Sequence, residues 1–148
     1  IGKSGEKNFT KTTSSKWRFG KIRNIVKGKK TCILTYGPII KLAFKLKEIC
    51  KNEISIYSCH TLEPFDKYGF RKILKKYKNI ICIEDHIENG GLKTIISENL
   101  IGKKIENNIN FFHLKKEFLN SYDSQESLQE KHGLSLKNII KKTKLLLK

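Results

Sequence analysis

The stretch Asn79-Ile80-Ile81-Cys82-Ile83-Glu84-Asp85-His86-Ile87-Glu88-Asn89-Gly90-Gly91-Leu92 decides how the chain is read. Successive residues of a strand point to opposite sides of its sheet. A strand with one wet face therefore alternates, whereas Ile80 to Ile83 is apolar on both faces, which predicts a central parallel strand covered on both sides. Behind it, Glu84 to Gly91 reads as a polar loop. Leu92, Ile95, Ile96 and Leu100 then form a helical stripe that Gly102 ends.

The same rhythm precedes this stretch. Thr31 to Tyr36 is a compact apolar strand closed by Gly37-Pro38, and proline suits a first helical turn because its missing N–H would be unpaired there. Ile39, Leu42, Ala43, Leu46, Ile49 and Cys50 follow at helical spacing, with Lys41, Lys45, Glu48 and Asn52 on the other side. Ile54 to Cys59 is the next strand and Leu62 to Asp66 the next turn. Asp66 is placed to cap a helix carrying Phe70, Ile73, Leu74 and Tyr77. Further out, Trp17 to Val26 supplies anchors for a short edge strand before a turn at Lys27-Gly28-Lys29, and Ile109 to His113 is a last strand. Asp123 with Glu126 resembles a capping box. Gly133 ends that helix, and a final one from Ser135 presents Leu136, Ile139, Ile140, Thr143, Leu146 and Leu147. Strands alternating with helices imply right-handed crossovers. The expected class is α/β: three layers, a mixed and mostly parallel sheet of about five strands, with helices on both faces. Ligands of such sheets sit beyond the carboxyl ends of the strands, here at Gly37, His60 and the segment Glu84 to Gly91.

A chain of 148 residues makes about one domain. Lys and Arg number 31 against 14 Asp and Glu, a formal +17. Only Arg18, Arg23 and Arg71 are arginines, and proteins that read nucleic acid rely on arginine forks. The charge therefore reads as a lysine-decorated surface, and a nucleic-acid partner is not expected. A stand-alone basic module that binds polyanions is the alternative from another class. Lysine punctuates every apolar run, so nothing approaches the roughly 18 to 20 residues of a membrane-spanning helix. No apolar stretch follows the basic start, as a secretory signal would require. The chain begins at Ile1 and contains no Met, so it is expected to be a fragment of a longer protein. Residues 1–18 are expected to be a linker or the tail of a preceding domain, and residues 19–148 the domain itself.

Cys32, Cys50, Cys59 and Cys82 contain no C-x-x-C pair and lie in apolar segments, which reads as buried free thiols in a reducing, cytoplasmic compartment. A zinc site with His60 or His86 would normally show paired ligand spacing. Glu84, Asp85 and His86 are the strongest polar cluster. A histidine between carboxylates can act as a general base. Without a nucleophile, metal partner or cofactor motif nearby, a hydrogen-bonded loop or an interface is the preferred reading. Gly90-Gly91 at a helix start can present N–H groups to a phosphate, and turn geometry explains the pair equally well. His113 and His132 carry no pattern. Neither G-x-G-x-x-G after a strand nor a G-x-x-x-x-G-K-[ST] loop is present.

The order of these motifs resembles the C-terminal domain of the transketolase family. That family includes transketolases, 1-deoxyxylulose-5-phosphate synthases and the β-subunits of 2-oxoacid dehydrogenases. Gly2-Lys3-Ser4-Gly5-Glu6 resembles its segment leaving the pyrimidine-binding domain. Phe19-Gly20-Lys21 with Val26-Lys27-Gly28 is similar to its "G-K-a-x-x-l-x-x-G", and Leu34-Thr35-Tyr36-Gly37 to its strand-to-glycine turn with Ala43 at the small helical position. Leu62-Glu63-Pro64-Phe65-Asp66 looks like "I-K-P-L-D", and Ile83-Glu84-Asp85-His86 with Gly90-Gly91-Leu92 looks like "v-E-E-H-x-x-x-G-G-L-G". His132-Gly133-Leu134-Ser135 with Ile139 resembles the closing "y-G-L-s-x-x-x-I". Lys93 departs from the last glycine of the fifth motif, and residues 115–130 match poorly.

The resemblance implies a full enzyme, a homodimer, that transfers two-carbon ketol units between sugar phosphates with thiamine diphosphate and Mg2+. The diphosphate and metal would be held by an N-terminal domain with a Gly-Asp-Gly motif, and the catalytic glutamate would sit on a pyrimidine-binding domain, in the same chain or a partner chain. This sequence contains no Gly-Asp-Gly, so Asn107-Asn108 is not the family's metal-binding pair, and no catalytic, cofactor-binding or metal residue is expected in it. The resemblance carries over only an assembly role or a place at the active-site entrance, for Pro64, Asp66, Glu84, Asp85, His86, Gly90 and Gly91. His86 favours the transketolase and deoxyxylulose-phosphate synthase branches over the dehydrogenase subunits.

Overall fold

Apolar runs of four or five residues separated by amphipathic segments leave little choice but a sheet buried between helices. A computed structural model describes residue 9, residues 15–117 and residues 122–143. The strands are β1 (Arg23–Val26), β2 (Thr31–Thr35), β3 (Ile54–Ser58), β4 (Asn79–Ile87) and β5 (Asn108–Leu114). The helices are α1 (Ile40–Cys50), α2 (Lys67–Lys76), α3 (Leu92–Leu100), α4 (Gln125–Lys131) and α5 (Leu136–Thr143). The sheet order is β1-β3-β2-β4-β5, parallel except for the antiparallel edge strand β1. This is the expected α/β architecture.

Two apolar clusters lie on opposite faces of the sheet. Ile33, Ile54, Ile56, Ile81 and Ile83 meet Leu42, Ala43 and Leu46 of α1 and Ile139 of α5. Cys32, Leu34, Ile80 and Cys82 meet Phe70 and Ile73 of α2 and Leu92 and Ile96 of α3. Every residue of β2 is buried, because it is central and covered on both sides. One polar knot sits inside the second layer. The Tyr77 hydroxyl lies 2.8 Å from Ser55 Oγ and 3.2 Å from the Tyr57 hydroxyl, so its buried oxygen is satisfied.

The structure differs from the sequence reading in three places. β4 runs on through Ile87, so Glu84, Asp85 and His86 are strand residues rather than loop. The continuation has a partner, since Ile87 pairs with Leu114 of β5 after a register shift. The cap of α4 is Ser124, whose hydroxyl accepts from Ser127 N at 3.2 Å. Asp123 pairs with Lys131 instead, and Glu126 with Lys41 of α1 at 2.8 Å. Ile49 lies exposed, because α1 closes immediately beyond it, where Lys51 takes a positive φ of 49°. Leu146 and Leu147 lie outside the described residues, as does most of the expected linker.

Candidate functional site

The crossover from β2 to β3 runs through α1 on one face, whereas that from β4 to β5 runs through α3 on the other. The two chain directions diverge between β2 and β4, the usual place for a crevice in a doubly wound sheet. Tyr36 leaves β2 there and Glu84 to Ile87 extend β4.

Glu84 is fully buried, and a carboxylate that deep must be paired. Its Oε2 accepts from Leu92 N at 2.7 Å, and its Oε1 from Lys93 N at 2.9 Å. Glu84 therefore occupies the positive N-terminal end of α3 from the neighbouring strand, doing the work of a cap that Gly91 has no side chain to do. The Tyr36 hydroxyl donates to Oε2 at 3.4 Å. Burial, then the Glu84 charge and hydrogen bond, push the Tyr36 phenol up to about 12, so it stays a donor. A Cβ at Gly91 would stand 2.2 Å from Glu84 Oε2 and 3.1 Å from His86 Nδ1. That close approach explains the glycine beside this carboxylate. Lys93, the departure from the family pattern, fits: its N–H serves Glu84 and its ammonium reaches Glu88 at 3.1 Å.

The neighbouring predicted residues are tied to the framework too. Asp85 Oδ2 accepts from Gln125 Nε2 at 3.0 Å and Gln129 Nε2 at 2.7 Å, which fastens β4 to α4. His86 is half-buried, with Nδ1 2.8 Å from the Ile87 carbonyl. Gly90 takes a φ of 84° and donates to Thr94 Oγ1 at 2.8 Å. Thus Glu84, His86, Gly90 and Gly91 gather around the N-terminus of α3, while Asp85 faces α4.

Pro64 and Asp66 make a second junction. Asp66 caps α2 as expected, with Oδ1 accepting from Gly69 N at 3.0 Å. Its Oδ2 accepts from Ile22 N at 3.0 Å, and Lys21 Nζ lies 3.6 Å from Oδ1, so the carboxylate pins the N-terminal segment to α2. Burial alone would raise this carboxyl. The N–H groups of Gly69 and Ile22, with Lys21, outweigh it and hold the pKa below the usual range. Pro64 is exposed, follows a cis peptide bond and faces Gly20.

Sequence reasoning missed Tyr36, Gln125 and Gln129 as partners of the acidic cluster. The i, i+4 spacing of the two glutamines was the signal available, since it sets both on one helical face. The four cysteines are free thiols. Burial pushes Cys59 up to about 12 and Cys32 and Cys82 well above their ordinary value, which suppresses the thiolate a nucleophile or metal ligand needs.

The transketolase resemblance implies thiamine diphosphate and a divalent metal, and the acidic side chains described here do not fit the metal. Among the described residues no group of three His, Cys, Asp or Glu can hold a metal ion. The acidic side chains best placed for one, Glu84 and Asp85, already accept from N–H groups of α3 and α4.

The site thus stands at the switch point of a mixed sheet with helices on both faces, its third helix capped by a glutamate. The family model "Transketolase, C-terminal domain" matches residues 20–139, and the chain belongs to that family. It is 27% identical over 132 residues to a 1-deoxy-D-xylulose-5-phosphate synthase of Francisella tularensis subsp. holarctica, covering 88% of this chain and 21% of that protein. The synthase of Francisella tularensis subsp. novicida is 26% identical over 130 residues. The chain thus spans about a fifth of the length of the curated relatives it matches. The solved structure of a split-gene transketolase, an inactive β4 tetramer, superposes with a TM-score of 0.69 at 18% identity, over 88% of this chain and 43% of that one. At that identity the likeness speaks for the fold.

Proposed function

We propose that residues 19–148 are the non-catalytic C-terminal assembly domain of a longer transketolase-like enzyme, with residues 1–18 leading in from a pyrimidine-binding domain. The full enzyme transfers two-carbon ketol units between sugar phosphates, using thiamine diphosphate and Mg2+ held by other domains, and works as a homodimer. One observation supports the reading: both oxygens of the carboxylate at the switch point are engaged by the framework, by two N–H groups of α3 and by Tyr36. Pro64, Asp66 and the Glu84 to Gly91 segment then serve as a rigid rim, at an interface or at the active-site entrance. A reducing, cytoplasmic setting belongs to the same proposal and is supported by the four free thiols. No described helix is long and apolar enough to cross a membrane.

The 27% identity to 1-deoxy-D-xylulose-5-phosphate synthases favours a second reading, in which the longer enzyme makes that product. Assaying the longer protein for 1-deoxy-D-xylulose 5-phosphate and for ketol exchange between sugar phosphates decides between the two. The domain's role is tested by His86→Ala in the longer enzyme. Turnover is expected to fall less than about tenfold, whereas a loss of about a hundredfold with fold and assembly intact would make His86 catalytic.

A further inference from the structure

Helix α2 turns Phe70 and Ile73 inward and leaves Tyr68, Arg71, Lys72, Lys75 and Lys76 exposed. Three hollows follow one another along that outer side. The largest, about 790 Å³, lies between α2 and residues 103–107, with Leu74 and Ile105 as apolar walls and Arg71, Lys75 and Lys104 around them. The second, about 410 Å³, lies between α2 and residues 15–24 and includes Arg18, Lys21 and Arg23. Tyr68 and Lys72 line both. A third, lined by Tyr57, Ile73 and Lys76, shares Ile22, Gly69 and Lys72 with the second.

All three arginines of the chain therefore lie on this one band. Composition counted against a nucleic-acid partner because arginines are few; their placement counts for one. The charge is also uncompensated. Asp66 and Glu106 are the carboxylates among the lining residues, and Asp66 is committed to Ile22, Gly69 and Lys21. Among the described residues Arg18, Arg71, Lys72, Lys75 and Lys104 form no ion pair, while Lys21 pairs with Asp66. At the junction of the two larger hollows stands Tyr68, 66% exposed, with Lys72 Nζ 4.4 Å from its ring centroid. An exposed ring between arginine-bearing hollows offers a stacking face with backbone-neutralising charge on either side.

We propose that the outer side of α2 binds single-stranded nucleic acid, its phosphates along Arg18, Arg71, Lys75 and Lys104 and a base on Tyr68. Arginine forks hold phosphate in two directions at once, which a lysine of equal charge does not. A polyglutamate chain can engage the cations but has no ring to stack on Tyr68.

The test is fluorescence anisotropy of a labelled oligouridylate, about twenty nucleotides long, with the 148-residue chain across a salt series. Saturable binding should persist at physiological salt, with log affinity falling against log salt at a slope of about −3 for some four or five phosphates. The charge-conserving pair Arg18→Lys with Arg71→Lys should weaken binding about tenfold, as should Tyr68→Ala. Lys137→Glu with Lys141→Glu, on α5 across the sheet, should change it less than about twofold. Circular dichroism and melting of each variant separate lost binding from lost fold. The proposal is overturned if the arginine-to-lysine pair binds like the parent, if the α5 reversal weakens binding as much, or if polyglutamate of equal length binds as tightly. Loss of all binding at physiological salt overturns it as well.

Discussion

Glu84 shows how one carboxylate organises a junction. It is buried, it receives two N–H groups of α3, and it excludes any side chain larger than hydrogen at Gly91. Gly91→Ala forces a methyl onto that oxygen and should cost about 1–3 kcal/mol in chemical denaturation, as overpacking does. Glu84→Ala leaves the same N–H groups without their acceptor and should cost a comparable amount, about 1–3 kcal/mol. Asp66 gives a pH signature. Its folded-state pKa is depressed, so its contribution is complete above the unfolded carboxyl value near ~3.9 and is lost as pH falls through the folded value. Melting temperature should therefore drop on acidification below about pH 4, and Asp66→Asn should flatten part of that drop while lowering stability at neutral pH. An amide there keeps the cap on Gly69 but turns an N–H donor toward the N–H of Ile22. A pH profile of Asp66→Asn that matches the parent would contradict this account.

At the scale of elements, the β1–β3 edge rests on an approach closer than any side chain allows. Gly28 N–H donates to Ser55 Oγ at 2.7 Å, and a Cβ on Gly28 would meet the Ile54 carbonyl carbon at 2.2 Å. Gly28→Ala should displace β1 and lower the melting midpoint by several degrees, since about 1 kcal/mol moves a domain of this size roughly 2–6 °C. The thiols report on the layers. Cys32, Cys59 and Cys82 sit between sheet and α2–α3, so a thiol reagent should label only Cys50 quickly in the native chain and all four after unfolding. The strands, the helices and the parallel centre were legible because Ile80 to Ile83 and Thr31 to Thr35 carry a pattern that burial on both faces imposes. The length of β4 was not. Glu84, Asp85 and His86 look like loop residues until the partners that make a charged strand end tolerable, α3 and α4, come into place from elsewhere in the chain. The cap of α4 misled for a similar reason: Asp123 and Ser124 are both good caps, and a cross-turn ion pair with Lys131 takes Asp123 out of the competition.

At the scale of the whole molecule, the sheet presents two different surfaces. The carboxyl ends of β2 and β4 form a rim whose polar groups hold one another, and the outer side of α2 gathers cations with few carboxylates among them. Net charge was visible in the composition, but its gathering along α2 depends on Arg18, Arg71 and Lys104, which the fold brings together from three separate segments. Family membership was legible in the ordered motifs, because Asp66, Glu84, Gly28 and Gly91 are fixed by contacts that leave little freedom of residue type. The central proposal is that these residues belong to an assembly domain and hold no thiamine diphosphate themselves. Isothermal titration calorimetry of thiamine diphosphate with Mg2+ into the 148-residue chain tests it most directly. The account predicts no saturable heat into the millimolar range, and saturable binding at micromolar concentration would contradict it.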